Sequence, residues 1–292
     1  MIINQGNLSN LFTGFKAVFQ EGFEGYKPTW QQIATLVPST TKEEHYAWLG
    51  NSTVFREWIG ERELQNLAAH GYRITNKAFE STVSVGVPDI EDDSYGVFRP
   101  MFTMLGEGAA THPDELVFGL LQAGFETPCY DGRPFFAANH LVNGKPVSNM
   151  QDGTGPSWYL LATGRSLKPI IYQRRKDYVF VRIDAERDWP RFNRNEIVYG
   201  ADGRGNVGYG FWQMAFGSRA PLTLANYAKA REAMRSLKSE AGRSLKVTPN
   251  LMLVPPSLEL AALDILKKEL VAGGETNVLR GTAELLVSNE LA

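Results

Sequence analysis

Apolar positions near the start of the chain repeat with a helical period. Leu8, Leu11, Phe12, Phe15, Phe19 and Phe23 fall on one side of a helix over residues 7–24, which breaks at Gly25 and Pro28. Such a stripe must be covered, either by the chain's own core or by a neighbouring chain. Residues 40–78 are polar yet carry Trp48, Phe55, Trp58 and Ile59 among charges, as in Phe55-Arg56-Glu57-Trp58-Ile59-Gly60-Glu61-Arg62. Two extended stretches here predict a long β-hairpin too thin to hold a core, marginal alone in water and in need of another surface.

Alternation then takes over, with Val83, Val85 and Val87 sharing one strand face. Pro88 and the acidic residues 89–93 close the strand and suit the positive start of a helix. A long helical region spans residues 92–124 and uses Val97, Met101, Leu105, Leu116, Leu120 and Leu121. Thr111-His112-Pro113-Asp114 reads as a capping start inside it, so a kink or restart is expected there. Residues 129–157 are rich in turn signals, among them Asn143-Gly144. A β-rich block covers residues 158–219. A helix starting at Thr223 is expected to stop at Gly242, and another capped by Ser257 at Gly273-Gly274. Leu251–Val254 reads as a buried strand, and the chain ends on another at residues 283–287.

Gly203, Gly205 and Gly208 complete a G-x-G-x-x-G, the spacing of a nucleotide-binding loop. That loop needs a helix to start on its last glycine, so that the helix N-terminus meets phosphate. Tyr209-Gly210-Phe211-Trp212 favours a strand instead. The expected structure is a β-hairpin with residues 202–206 at its tip, and a nucleotide-binding module is the rival reading.

At 292 residues, with 43% hydrophobic and 21% charged, the chain has the composition of a folded protein of one or two domains. A net charge of −2 argues against a coat that collects nucleic acid by neutralising phosphates. The single cysteine excludes an intramolecular disulfide and a cysteine-rich metal site. Neither a secretory signal nor a membrane-spanning run is evident, which points to a cytosolic product.

Candidate chemistry is sparse. Cys129 and His140 could act as nucleophile and base, oriented by Asp131 or Asp152, which makes a cysteine-dependent hydrolase the second rival. Residues 128–132 read as a turn, however, and the thiol as a packing group. Four scattered histidines, His45, His70, His112 and His140, give no zinc spacing. Glu91, Asp92 and Asp93 suit a helix start better than a cation, and Arg174-Arg175-Lys176 a solvated strand end. No catalytic, metal or cofactor site is expected. An apolar arm and a coreless ribbon remain, features of a subunit completed by its neighbours.

The chain resembles the Mu-like tailed-phage major head (capsid) proteins essentially from end to end. The likeness runs through Tyr46-Ala47-Trp48-Leu49-Gly50, Glu57-Trp58-Ile59-Gly60, Ala69-His70-Gly71-Tyr72 and Asn76-Lys77-Ala78-Phe79-Glu80. It continues in Glu91-Asp92-Asp93, Pro113-Asp114-Glu115-Leu116, Pro128-Cys129-Tyr130-Asp131-Gly132, Gly208-Tyr209-Gly210-Phe211-Trp212-Gln213-Met214-Ala215 and Val254-Pro255. Residues 141–157 match least.

The resemblance implies an α+β capsid fold of the Hong Kong ninety-seven phage type. Its parts would be an N-terminal arm (1–44), an extended loop (45–78), a peripheral domain (79–222) with a spine helix over 92–124, and an axial domain (223–292). The strands of residues 158–216 precede the axial helices, which suggests a permuted connectivity. The implied function is a structural shell subunit that forms hexamers and pentamers of an icosahedral head around double-stranded DNA. Implied partners are other copies, a scaffold and protease, a portal and a decoration protein, and the implied location is the virion. Subunit contacts are expected at Phe12, Phe15, Phe19, Trp48, Phe55, Arg56, Glu57, Trp58, Ile59 and Arg62.

Overall fold

A computed structural model describes residues 4–49, 71–92, 94–185, 188–240, 242–270 and 274–292. The first part holds α1 (Gln5–Gly25), β1 (Ala34–Pro38), β2 (Glu43–His45), β3 (Arg73–Thr75), β4 (Lys77–Gly86), α2 (Val87–Glu91) and α3 (Arg99–Gln122). The middle holds β5 (His140–Val142), β6 (Lys145–Val147), β7 (Met150–Gln151), β8 (Trp158–Leu161), β9 (Ile170–Ile183), α4 (Trp189–Arg194), β10 (Glu196–Tyr209) and β11 (Ala215–Ser218). Last come α5 (Leu224–Arg235), β12 (Leu251–Val254), α6 (Glu259–Leu266) and β13 (Glu284–Val287). Among the described residues, no helix is long and apolar enough to cross a membrane.

Helix α1 forms because Asn4 caps it, accepting a hydrogen bond from the Asn7 N–H at 2.9 Å, and because its apolar stripe has a surface to cover. That surface is α3. The two run antiparallel in backbone contact: a Cβ at Gly22 would sit 2.2 Å from the Thr103 carbonyl oxygen, and one at Gly106 only 2.1 Å from that of Phe19. Around this contact Phe15 stacks on Phe102 at 4.0 Å and meets Tyr199 edge-on at 5.3 Å, while Phe19 stacks on Phe180 at 5.2 Å. A small core therefore joins α1 and α3 to one face of a four-stranded sheet ordered β1-β9-β10-β4.

A larger core surrounds a second sheet ordered β13-β12-β8-β11-β7. All four residues of β8 and of β12 are buried, which is why both segments read as unbroken apolar runs. This sheet takes strands from both sides of residue 222, since β8 pairs with β12. The long strands β9 and β10 lie beside α3, whereas β8 and β11 belong to the second sheet.

Several local expectations need correction. The glycine segment is no hairpin tip: residues 196–209 form one strand, paired with β4 on one side and β9 on the other, with register shifts around Arg204. Its glycines make room for crossing side chains. A Cβ at Gly203 would meet the Tyr178 ring at 2.9 Å, and one at Gly208 the Ile74 Cδ1 at 2.3 Å.

The long helix does not restart at Pro113. It begins at Arg99, with Pro100 in the first turn where no N–H is needed, and continues through Pro113. Asp114 is a buried acceptor for the chain leaving α1, taking the Trp30 N–H at 2.6 Å, the Thr29 N–H at 3.0 Å and the Tyr26 hydroxyl at 2.7 Å. Burial and that hydrogen bond push the Tyr26 hydroxyl up to about 12.

Arg174-Arg175-Lys176 lies in the middle of β9, not at its end, with Arg174 paired to Asp177 at 2.7 Å and Lys176 paired to Asp202. Helix α5 stops at Arg235, ahead of Gly242, because a bridge between Lys238 and Ser244 folds the chain back. Ser257 sits inside a 3-10 turn over Pro256–Leu258, and α6 ends at Leu266, before Gly273.

The α1–α3 contact gives a signed prediction. Alanine is favoured over glycine in a helix by about 1 kcal/mol. Even so, Gly106→Ala is expected to destabilise the chain by about 1–3 kcal/mol through forced separation of the backbones. Denaturant midpoints check this, and a midpoint that rises would show that the helices do not touch there.

Candidate assembly interface

The root of the predicted extended loop is a built structure. Strands β2 and β3 pair antiparallel, Glu43 opposite Thr75, Glu44 opposite Ile74 and His45 opposite Arg73. Glu43 lies 3.3 Å from His45 and 3.7 Å from Arg73. Glu44 accepts hydrogen bonds from the Ser39 hydroxyl at 2.8 Å, the Thr41 hydroxyl at 2.9 Å and the Thr40 N–H at 3.1 Å. These bonds, the Ser39 one foremost, hold its carboxyl below the usual range.

Beneath the ladder, Gln173 of β9 is fully buried and satisfied at both ends. It accepts from the Tyr46 hydroxyl at 2.9 Å and donates to the Ile74 carbonyl at 3.0 Å and the Asn76 side-chain oxygen at 2.9 Å. Asn76 in turn donates to Ser39 at 2.8 Å. Both legs of the loop are thus tied to one residue of the sheet, and Tyr72 adds a bond from the Tyr209 N–H at 2.6 Å.

Trp48 stands on this root. Its ring meets Tyr46 and Phe211 edge-on, each at 6.1 Å, and 40% of the residue stays exposed. Of the other expected contact residues, Phe15 and Phe19 are buried against α3 and the first sheet, and Phe12 stacks half-buried on Phe180 at 5.4 Å. Phe55, Arg56, Glu57, Trp58, Ile59 and Arg62 lie outside the described residues.

A second exposed apolar surface was not anticipated. The face of β9 turned away from α3 shows Val179, Val181 and Ile183, and α4 presents Trp189 and Phe192, the latter 80% exposed. The signal in the sequence is Asp188-Trp189-Pro190-Arg191-Phe192. Two aromatics three positions apart share one side of a helix too short to pack them both on a core.

The candidate chemistry resolves differently. Cys129 and His140 do meet, through Asp131: the thiol donates to Oδ1 at 3.2 Å, and His140 Nδ1 lies 2.6 Å from Oδ2. Asp152 is exposed and takes no part. Burial and the neighbouring carboxylate push the Cys129 thiol up, the opposite of what a nucleophile needs, and His140 is completely buried. The glycine segment, being a mid-sheet strand, presents no helix N-terminus to a phosphate.

Against known proteins, residues 8–291 match the family described as Mu-like prophage major head subunit gpT. The chain is 45% identical over 274 residues to the Mu-like prophage FluMu major head subunit of Haemophilus influenzae, covering 90% of this chain and 89% of that one. It is 39% identical over 306 residues to the major capsid protein of Escherichia phage Mu, covering both completely. Among solved structures it is similar to a subunit of the bacteriophage JBD30 procapsid, with a TM-score of 0.86 and 41% identity over 99% of this chain and 100% of that one. For the JBD30 capsid the TM-score is 0.81 at 33% identity, covering both chains completely. These full-length matches carry the two-sheet, long-helix architecture with them, and the chain belongs to the Mu-like prophage major head subunit family, with the Hong Kong ninety-seven type of capsid fold.

Proposed function

We propose that this chain is the structural shell subunit of a phage head: copies form hexamers and pentamers that close into an icosahedral shell around double-stranded DNA. The observation that carries this reading is the coincidence of the whole chain with the JBD30 procapsid subunit at a TM-score of 0.86. A net charge of −2 suits a container filled by a motor, since a coat that gathers its genome electrostatically needs a basic surface. The role is mechanical rather than enzymatic, and the buried, unactivated Cys129 supports that. Assembly takes place in the host cytoplasm and ends in the virion. A scaffold with its protease and a portal are the partners; a decoration protein is another, and one JBD30 capsid structure is described as decorated with minor capsid protein trimers.

Contacts between subunits fall where apolar surface is left over. The 45–78 loop reaches a neighbouring subunit from its pinned root, with Phe55 and Trp58 as anchors, Arg56, Glu57, Ile59 and Arg62 around them, and Trp48 at its foot. Trp189 and Phe192 of α4, with the open face of β9, meet another copy. A standard interface buries roughly 1,600 Å² in total, and desolvated aromatics dominate its energy. Each contact stabilises the assembled subunit by mass action.

Negative-stain electron microscopy with light scattering, on the chain alone and co-expressed with its scaffold, tests the reading. Rings, tubes or closed shells are expected; a uniform monomer or dimer under every condition would overturn it. Trp58→Ala is expected to leave a folded, soluble subunit that no longer forms shells, and normal shells from it would remove the loop anchor. Phe192→Ser touches an exposed side chain, so monomer stability should move by less than about 0.5 kcal/mol. Shell yield is nevertheless expected to fall, and an unchanged yield would exclude α4 from the contacts.

A further inference from the structure

Three metal-ligating side chains meet in the turn-rich segment between α3 and β5. The donor atoms of Cys129, Asp131 and His140 all lie within 4.8 Å of one another. Two of the three are set by a tight turn, in which the Cys129 N–H bonds the Arg133 carbonyl at 2.8 Å and Gly132 takes a φ of +79°. The Arg133 N–H also donates to Asp131 Oδ1 at 3.0 Å, so the turn holds the carboxylate as well. Strand β5 delivers His140, whose ring stacks on Trp212 with centroids 4.1 Å apart and planes within 6°.

Both ring nitrogens of His140 have partners. Nε2 lies 3.3 Å from the carbonyl oxygen of Phe135, which can only accept. Nδ1 lies 2.6 Å from the Asp131 carboxylate, so in the chain without metal a proton bridges the two. Metal binding would replace that proton at Nδ1. A metal-binding histidine has this arrangement: one nitrogen on the ion, the other N–H donated to a backbone carbonyl that fixes the tautomer. The alternative occupant is a proton.

We propose that Cys129, Asp131 and His140 bind a divalent transition-metal ion of the zinc class, which ties the 128–134 turn to β5 and to Trp212. Thiolate, imidazole and carboxylate together suit Zn²⁺, whereas calcium and magnesium prefer oxygen alone. The Asp131 side chain is 16% exposed, the one member that reaches solvent, so a water can complete a tetrahedral set there. Loading exchanges the thiol proton for the metal, because the thiolate is the ligand. All three ligands come from one chain.

The test uses the full chain, stripped with a chelator and dialysed first against Zn²⁺ and then against metal-free buffer. One zinc retained per chain by elemental analysis is expected, together with a thiolate-to-metal charge-transfer band when Co²⁺ replaces Zn²⁺. Cys129→Ser should abolish that band. His140→Gln should weaken binding by more than about tenfold, since even outer partners of a ligand are worth that much. If either variant fails to fold by circular dichroism, the wild-type chain decides alone. Wild-type protein that retains no zinc, or binds cobalt without the charge-transfer band, would overturn the proposal and leave a proton in that place.

Discussion

The backbone contact between α1 and α3 is the constraint on which the rest of the first layer depends. With glycine at 22 and 106 the two helices close to a distance that admits no side chain between them. That closeness lets Phe15 and Phe19 reach the rings of Phe102 on α3, Phe180 on β9 and Tyr199 on β10. An arm that an apolar stripe alone could have sent to any neighbour is held inside its own subunit. On the opposite face of β9, Val179, Val181 and Ile183 stay exposed, while Ile171 and Gln173 are buried.

A second constraint works at the loop root. Gln173 is a buried amide that ties Tyr46 on one side to Ile74 and Asn76 on the other. Leaving any of these groups unpaired would cost about 1–3 kcal/mol. Residues 43–45 and 73–75, which form that root, are therefore held in one place and one register. In the proposed shell, a part that meets a neighbour has to start from the same place in every subunit, because interfaces close only if all subunits extend alike.

The elements most legible in the sequence were those whose pattern answers to burial alone. The α1 stripe, the apolar β12 and the alternating β4 all appear close to where periodicity put them. The misreadings share a cause, which is tertiary context that local pattern does not carry. Glycines 203, 205 and 208 look like a turn because nothing nearby in sequence announces that Tyr178 and Ile74 cross above them. Pro113 looks like a break because Asp114, its apparent cap, is a long-range acceptor for residues 26–30. The family itself was legible because its motifs are spread along the whole chain, but α4 was not. Its two aromatics look like any short turn until Trp189 and Phe192 are seen to stay exposed.

Amide hydrogen exchange on the unassembled full-length subunit tests the central claim, that the arm belongs to its own subunit's core. Protection across residues 8–23 equal to that of residues 102–121 is the predicted result, because the two helices can open only together. Complete exchange of the arm while α3 stays protected would contradict it, and would return the apolar stripe to a neighbouring subunit.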